Sequence, residues 1–284
     1  MSKQHTIGLA ASLSGIGVNS GAPVTLTLQP AGAGKGIVFR RTDLPGRPEI
    51  RASVFAVADL VRKTALASGT TEVRLVEHVL SALHGCGVDN VIVEMDAAEA
   101  PIMDGSAKAF VELIARAGRV EQAPAREYFE LERPVAVSRG SATRLALPSP
   151  EFRITYTALD DRAVEHAQHL SLLVTPETYA REIAPARTYV LHADAEAMRA
   201  AGGIRGGSLE NCIVLKGAEV MCAEPLRFRD ELVRHKILDL VGDIMLLGKP
   251  IKAHLIAMRA GHALHADLTK ALLEQVRSNG IATG

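Results

Sequence analysis

The sequence predicts an α+β fold made of two similar two-layer α/β sandwiches, and three observations predict it. Apolar residues recur at helical spacing in segments flanked by short runs of alternating apolar and polar residues. Each half of the chain runs strands, a helix with a histidine near its start, a glycine, a strand and a closing helix, the plan that an internal duplication leaves. Between the halves, residues 120–126 (VEQAPAR) are polar and include Pro124, which suits a linker.

Composition agrees with a globular chain and narrows its partners. With 284 residues, 48% of them hydrophobic, the chain can fill two packed cores. Its mean hydropathy of +0.13 is that of a soluble globule. Lysine plus arginine and aspartate plus glutamate number 32 each, so the net charge offers no footing for nucleic acid. Cys86, Cys212 and Cys222 are odd in number and match no thiolate metal spacing, so reduced thiols and a cytoplasmic location are expected. Ser and Gly interrupt the N-terminal IGLAASLSGIGV, so neither a signal peptide nor a membrane span is expected there.

In chain order, residues 6–13 and 24–28 alternate as strands about a turn containing Gly15, Gly17 and Gly21. No lysine or helix start follows those glycines in register, so they form no phosphate loop. Arg40 and Arg41 precede a Pro/Gly loop and are expected in solvent, and a short α/β stretch runs to about residue 67. From Thr71 the pattern turns helical, with Val76, Val79, Leu80 and Leu83 on one face and Gly85 and Gly87 ending it. A strand at 88–95, a loop and a helix at 107–117 close the first half. The second half opens with short strands near 128–131, 135–137, 145–147, 153–157 and 169–174. Residues 193–207 then form an amphipathic helix ending in glycines, either a surface excursion or a flap over a site. A helix at 231–247, a strand at 253–258, a loop at Gly261 and a helix over 266–276 finish the chain.

The chemistry centres on RFRDELVRHKILDLVGD, residues 227–243. His235, Asp239 and Asp243 are spaced by four on a helix whose Leu232, Ile237, Leu238, Val241, Ile244 and Met245 are apolar, so they share a buried-looking face. Desolvating these groups costs several kcal/mol unless a metal, a charge or a hydrogen bond replaces water; a surface His–Asp pair is the other reading of this helix. The repeated plan sets His78 opposite His235, and His78, His235 and Asp239 make the three-ligand set of a catalytic zinc with one open position. Such a metal lowers the pKa of its water to about 7, which favours hydrolysis. Glu77 precedes His78 and would accept that water's proton. His262, in the loop after Gly261, is the candidate acid, with Asp243 orienting it and keeping it cationic. Thr188 would donate to an oxyanion, a contact worth about 3 kcal/mol when preorganised. Two histidines and one carboxylate also describe non-haem iron oxygenases, which carry their ligands on a β-barrel rather than on helices. His5, His84, His166, His169, His192, His254 and His265 lack such partners and are assigned structural or surface places.

LVEHVLSALHGCGVDN, IMDGSA, APARTY, GGSLENCIVL, FRDELVRHKILDLVGDIMLLG and AHLIAMRAGHAL together resemble the zinc-dependent UDP-3-O-acyl-N-acetylglucosamine deacetylase (LpxC) family of lipid A biosynthesis, over nearly the whole chain. The resemblance implies two similar domains, 1–123 and 124–284, with inserts near 38–67 and 190–215 and the active site between them. It implies that His78, His235 and Asp239 hold zinc, iron(II) remaining open as the metal in the cell. Glu77 would be the general base and His262 the acid, with Asp243 supporting it, Thr188 at the oxyanion, and Lys236 and Tyr189 on the substrate. The substrate would be a UDP-linked glucosamine bearing a 3-O-hydroxyacyl chain, with the 193–207 flap forming an apolar passage for that chain. A monomer touching the membrane surface transiently is expected. Asn19, Arg74-Leu75, Tyr189 and His265 stand where the family usually has His, a Ser/Thr pair, Phe and Asn, and residues 159–169 lack an expected Phe. The alternatives are therefore a paralogue deacetylating another acylated amino sugar, or an inactive metal-containing binding protein.

Overall fold

The computed structural model describes residues 2–281. Its first half comprises β1 (Lys3–Ile7), β2 (Ala11–Ile16), β3 (Pro23–Pro30), β4 (Ile37–Arg41), β5 (Glu49–Arg51), β6 (Val57–Asp59), β7 (Ala65–Ser68), β8 (Thr71–Arg74), α1 (Glu77–Gly85), β9 (Val91–Met95), α2 (Lys108–Ala117) and β10 (Arg119–Ala125). Five strands form one sheet in the order β2-β3-β9-β4-β5, antiparallel throughout except between β4 and β9. Along β3, Val24, Leu26 and Leu28 are buried while Thr25 and Thr27 are less so, the period of two that gives a sheet one core face. Helix α2 buries Phe110, Leu113, Ile114 and Ala117, a stripe at helical spacing. Strands β6, β7 and β8 form a separate three-stranded sheet.

The second half comprises β11 (Phe129–Glu130), β12 (Val135–Arg139), β13 (Ala142–Pro148), β14 (Arg153–Ala158), β15 (Gln168–Leu173), the single turn α3 (Pro176–Thr178), β16 (Tyr189–Leu191), α4 (His192–Ala200), β17 (Ile213–Lys216), β18 (Glu219–Met221), α5 (Glu231–Ile244), β19 (Ile251–Met258) and α6 (His262–Ile281). Its main sheet runs β12-β13-β19-β14-β15, with β11 added on β19. The path from β12 to β15 has the chain order first, second, fifth, third, fourth, the same as in the first sheet. Here too the one parallel pair on that path joins the third and fifth strands. Strands β16, β17 and β18 form a second small sheet.

The structure departs from the sequence-based expectations at several elements. Residues 6–13 are not one strand: the chain breaks after Ile7, where Gly8 donates to the Gly118 carbonyl at 2.6 Å, and β1 and β2 enter different sheets. The expected linker is a strand, since β10 pairs antiparallel with β1 through Thr6↔Val120 and Ile7↔Arg119. Pro124 is tolerated because the pair is two-stranded and its register shifts between Lys3 and His5. Residues 71–74 are also strand, with Thr71 and Val73 buried in alternation, so helix α1 starts at Glu77. Strands β4 and β5 belong to the main sheet, and the small sheet begins only at Val57.

Helices α1 and α5 cross so closely that a Cβ on Gly242 would lie 2.1 Å from the Glu77 carbonyl oxygen. Polar bonds replace the missing side chain: Ser81 Oγ donates to the Leu238 carbonyl at 2.7 Å, and His84 Nδ1 donates to that of Val241 at 2.9 Å. Gly242→Ala should cost about 1–3 kcal/mol or more, because backbone cannot yield as a side chain does; chemical denaturation checks this. Burial holds the His84 pKa down to about 4, below its unfolded value near 6.5. The native state then binds fewer protons, so stability present above pH 6.5 is lost as the pH falls toward 4. Denaturation across that window should show His84→Gln losing a pH dependence of up to about 3 kcal/mol.

Candidate active site

Helix α5 presents His235, Asp239 and Asp243 from successive turns, all buried, to the first turn of α1, which presents Glu77 and His78. The entry into α1 is forced, for Leu75 takes a left-handed φ of 59°. The start of α5 is fixed by a buried ion pair in which Arg187 Nε lies 2.8 Å from Glu231 Oε1. Glu231 also accepts the backbone N–H groups of Arg187 and Arg227, at 3.0 and 2.7 Å. That staple sets Ala186, whose carbonyl accepts from His235 Nδ1 at 3.0 Å and so turns Nε2 toward Asp239.

His78, His235 and Asp239 each offer a ligand atom, all within 4.8 Å of one another. Asp239 Oδ1 lies 3.3 Å from His235 Nε2 and 3.9 Å from His78 Nε2. Burial, then the charge of His235, pushes the His78 pKa down to about 3, and burial lowers that of His235. Burial would raise Asp239, but Lys236 and the surrounding histidines outweigh it and hold the carboxylate well below its usual range. Neutral imidazoles beside an anionic carboxylate are the protonation states that a metal ion requires. The Nε2 atoms of His78 and His235 both face Asp239 Oδ1, so two imidazole nitrogens and one carboxylate oxygen converge on one buried centre, a donor set that suits zinc. The residues therefore fit a divalent metal.

Thr64 joins the remaining groups, donating its N–H to Glu77 Oε2 at 2.9 Å and its hydroxyl to Asp243 Oδ1 at 2.6 Å. Burial raises the Glu77 pKa to about 7. His262 Nδ1 donates to Asp243 Oδ2 at 2.7 Å. Burial opposes protonation of His262, but Asp243 reverses this and raises its pKa to about 9. Glu77 and His262 line a cleft of about 730 Å³ whose walls include the connection from β6 to β7 and residues of β16 and β17. Thr188 lines it, held by its N–H on the Gly105 carbonyl at 2.8 Å, and its hydroxyl has no protein partner among the described residues. Lys236 also lines the cleft, but its ammonium rests on Asp239 Oδ2 at 2.7 Å and over the Tyr189 ring at 5.3 Å from its centroid. Asn19 is tied to the buried Glu99 by two bonds, from its N–H at 2.9 Å and its Nδ2 at 2.7 Å. Where residues 159–169 lack the expected Phe, Arg162 and Arg62 both grip Asp194 of α4, at 3.0 and 2.9 Å.

Sequence reasoning overlooked two residues here. His265, assigned a structural or surface place, is buried and donates Nδ1 to the same Asp243 Oδ2 at 2.6 Å. Its spacing of three from His262 at a helix start was the available signal. Thr64 carried no signal.

Fold and donor set together place the chain among mixed α/β proteins with a candidate metal centre. Comparison with known proteins narrows this: the chain belongs to the LpxC family, described as UDP-3-O-acyl N-acetylglycosamine deacetylase, whose model matches residues 4–274. It is 43% identical over 270 residues to the UDP-3-O-acyl-N-acetylglucosamine deacetylase of Myxococcus xanthus (strain DK1622), covering 95% of this chain and 86% of that protein. It is 43% identical over 272 residues to the protein of the same name from Thermosynechococcus vestitus (strain NIES-2133 / IAM M-273 / BP-1), covering 96% and 94%. The namesake from Syntrophus aciditrophicus (strain SB) is 40% identical over 272 residues, covering 96% and 86%.

Glu231→Ala should destabilise the fold by about 3–5 kcal/mol, because it leaves the Arg187 charge buried and unpaired. Calorimetry or urea denaturation checks the figure.

Proposed function

We propose that the chain is a zinc-dependent amidohydrolase that releases acetate from UDP-3-O-(3-hydroxyacyl)-N-acetylglucosamine in lipid A biosynthesis. One observation carries this reading: two titratable groups with opposite environments, Glu77 near 7 and His262 near 9, line one cleft with a metal-ligand set. Such separation assigns the base and the acid. The names of the related proteins support the substrate.

His78, His235 and Asp239 would hold the zinc. Bound there, it supplies Lewis-acid polarisation and makes water nucleophilic near neutral pH. Glu77 accepts the proton of the attacking water as its oxygen adds to the amide carbonyl. The Thr188 hydroxyl donates to the oxyanion. His262, cationic at neutral pH through Asp243, delivers its Nε2 proton to the departing nitrogen as the C–N bond breaks, giving acetate and a free amine. Lys236 holds Asp239 ionised, and with Tyr189 it forms the wall on which the sugar would lie. Leu60, Met198, Ile204, Leu209 and Val214 line the same cleft and suit an acyl chain.

The same proposal takes the two halves as an internal duplication divided between β10 and β11. The identical strand order and the repeated parallel pair support it. The small sheets β6–β8 and β16–β18 would be the two inserts. We place the protein in the cytoplasm as a monomer that meets the membrane surface transiently. Three free cysteines suit that compartment, and no helix among the described residues is long and apolar enough to cross a membrane.

The test is acetate release from that substrate by purified protein, with chelator and with zinc restored. Chelator-sensitive, zinc-restored release is expected; none from protein holding one zinc per chain would overturn the substrate. Glu77→Gln should lower kcat by about 10²–10⁴-fold with zinc content kept, and near-normal turnover would remove Glu77 from its role.

A further inference from the structure

Asp243 does not serve His262 alone. Its Oδ2 accepts from His262 Nδ1 at 2.7 Å and from His265 Nδ1 at 2.6 Å, while Oδ1 takes the Thr64 hydroxyl at 2.6 Å. The two histidines lie one turn apart on the first turn of α6, with ring centroids 5.8 Å apart and planes at 71°. Both lone pairs of Oδ2 are thus used, one by each imidazole.

His265 is buried to 1% exposure, and its Nε2 has no partner. Arg144 on β13 is fully buried, and its Nε and Nη1 also lack partners. Its Nη2 lies 3.4 Å from the Tyr156 hydroxyl, which in turn donates to the carbonyl of Ala260, two residues before His262. Burial, then the Arg144 charge, pushes the His265 pKa down to about 3. The groups acting on His265 are Asp243 from α5, His262 from its own helix and Arg144 from β13; those acting on His262 include Asp243, Asp239 and Glu77. Because the Asp243 carboxylate can only accept, the His265 Nδ1 facing it carries the hydrogen, and burial disfavours a second one on Nε2.

We propose that His265 is a positioning residue for the reaction: its Nδ1–H locks Asp243 Oδ2 beneath His262, so that His262 keeps Nε2 aimed into the cleft. Three bonds from two directions then define the Asp243 carboxylate, and its rotation would swing the acid away from the leaving nitrogen. The inference rests on His262 being the acid.

Two measurements on the full-length, zinc-loaded protein test it. In the unaltered chain, ¹H–¹⁵N NMR of the imidazoles should show His265 neutral, with its proton on Nδ1, from pH 5.5 to 8.5; a His265 that titrates there, or carries its proton on Nε2, overturns the proposal. Kinetics then compare two variants. His265→Asn places an amide N–H the same number of bonds from the backbone, whereas His265→Leu offers none. His265→Leu should lose about 10- to 100-fold in kcat with little change in KM, and His265→Asn should recover most of it. Equal loss in both, or a change confined to KM, would reduce His265 to packing. Should His265→Leu not fold, kcat of the Asn variant within a few-fold of the parent supports the proposal and a larger loss overturns it. If no protein turns over the substrate, the functional reading fails while the NMR result still decides where His265 places its proton.

Discussion

The site depends on the contact between two helix backbones. Because residue 242 is glycine, α5 approaches α1 until its backbone nearly touches the Glu77 carbonyl. Two imidazoles and three carboxylates are brought out of water as a result. Left alone, each buried charge would cost several kcal/mol. The surroundings answer each differently: Lys236 for Asp239, Thr64 and two histidines for Asp243, and for Glu77 only a hydroxyl-bearing residue's N–H. That asymmetry separates their affinities for protons. Asp239 and Asp243 stay ionised, whereas Glu77 is raised toward neutrality.

Buried polar bonds surround this crossing and add to the apolar core shared by α1 and α5. The Arg187–Glu231 pair aligns the start of α5 with the segment that carries Thr188 into β16, and Ala186 orients His235 through its carbonyl. On the far side, Arg144 and Tyr156 brace the turn before His262, where Arg259 takes a left-handed φ of 53°. Strain at Leu75 and Arg259 thus sits immediately before the two segments that bring Glu77 and His262 into the cleft.

Much of this was legible in the sequence. The spacing of His235, Asp239 and Asp243 can place them on one face only if the segment is helical, and the apolar residues between them said that it was. His78 was found through the repeated plan of the two halves. Strand β10 was not legible, because an exposed edge strand containing Pro has the composition of a linker and its partner β1 lies more than a hundred residues earlier. Thr64 was not legible for a related reason: its bonds to Asp243 and His262 span 179 and 198 residues, and no local pattern encodes them. His265 is visible as a histidine three residues after His262, but only the fold shows that one Asp243 oxygen serves both rings.

In the proposed function one metal sits where the helices cross, between His78, His235 and Asp239. Anomalous diffraction at the zinc edge from crystals of the zinc-loaded protein tests it most directly. The account predicts a single strong site with one nitrogen from each histidine and one Asp239 oxygen at about 2.0–2.2 Å. Zinc lodged instead among Asp243, His262 and His265, the other His/Asp group close enough to bind one, would contradict it.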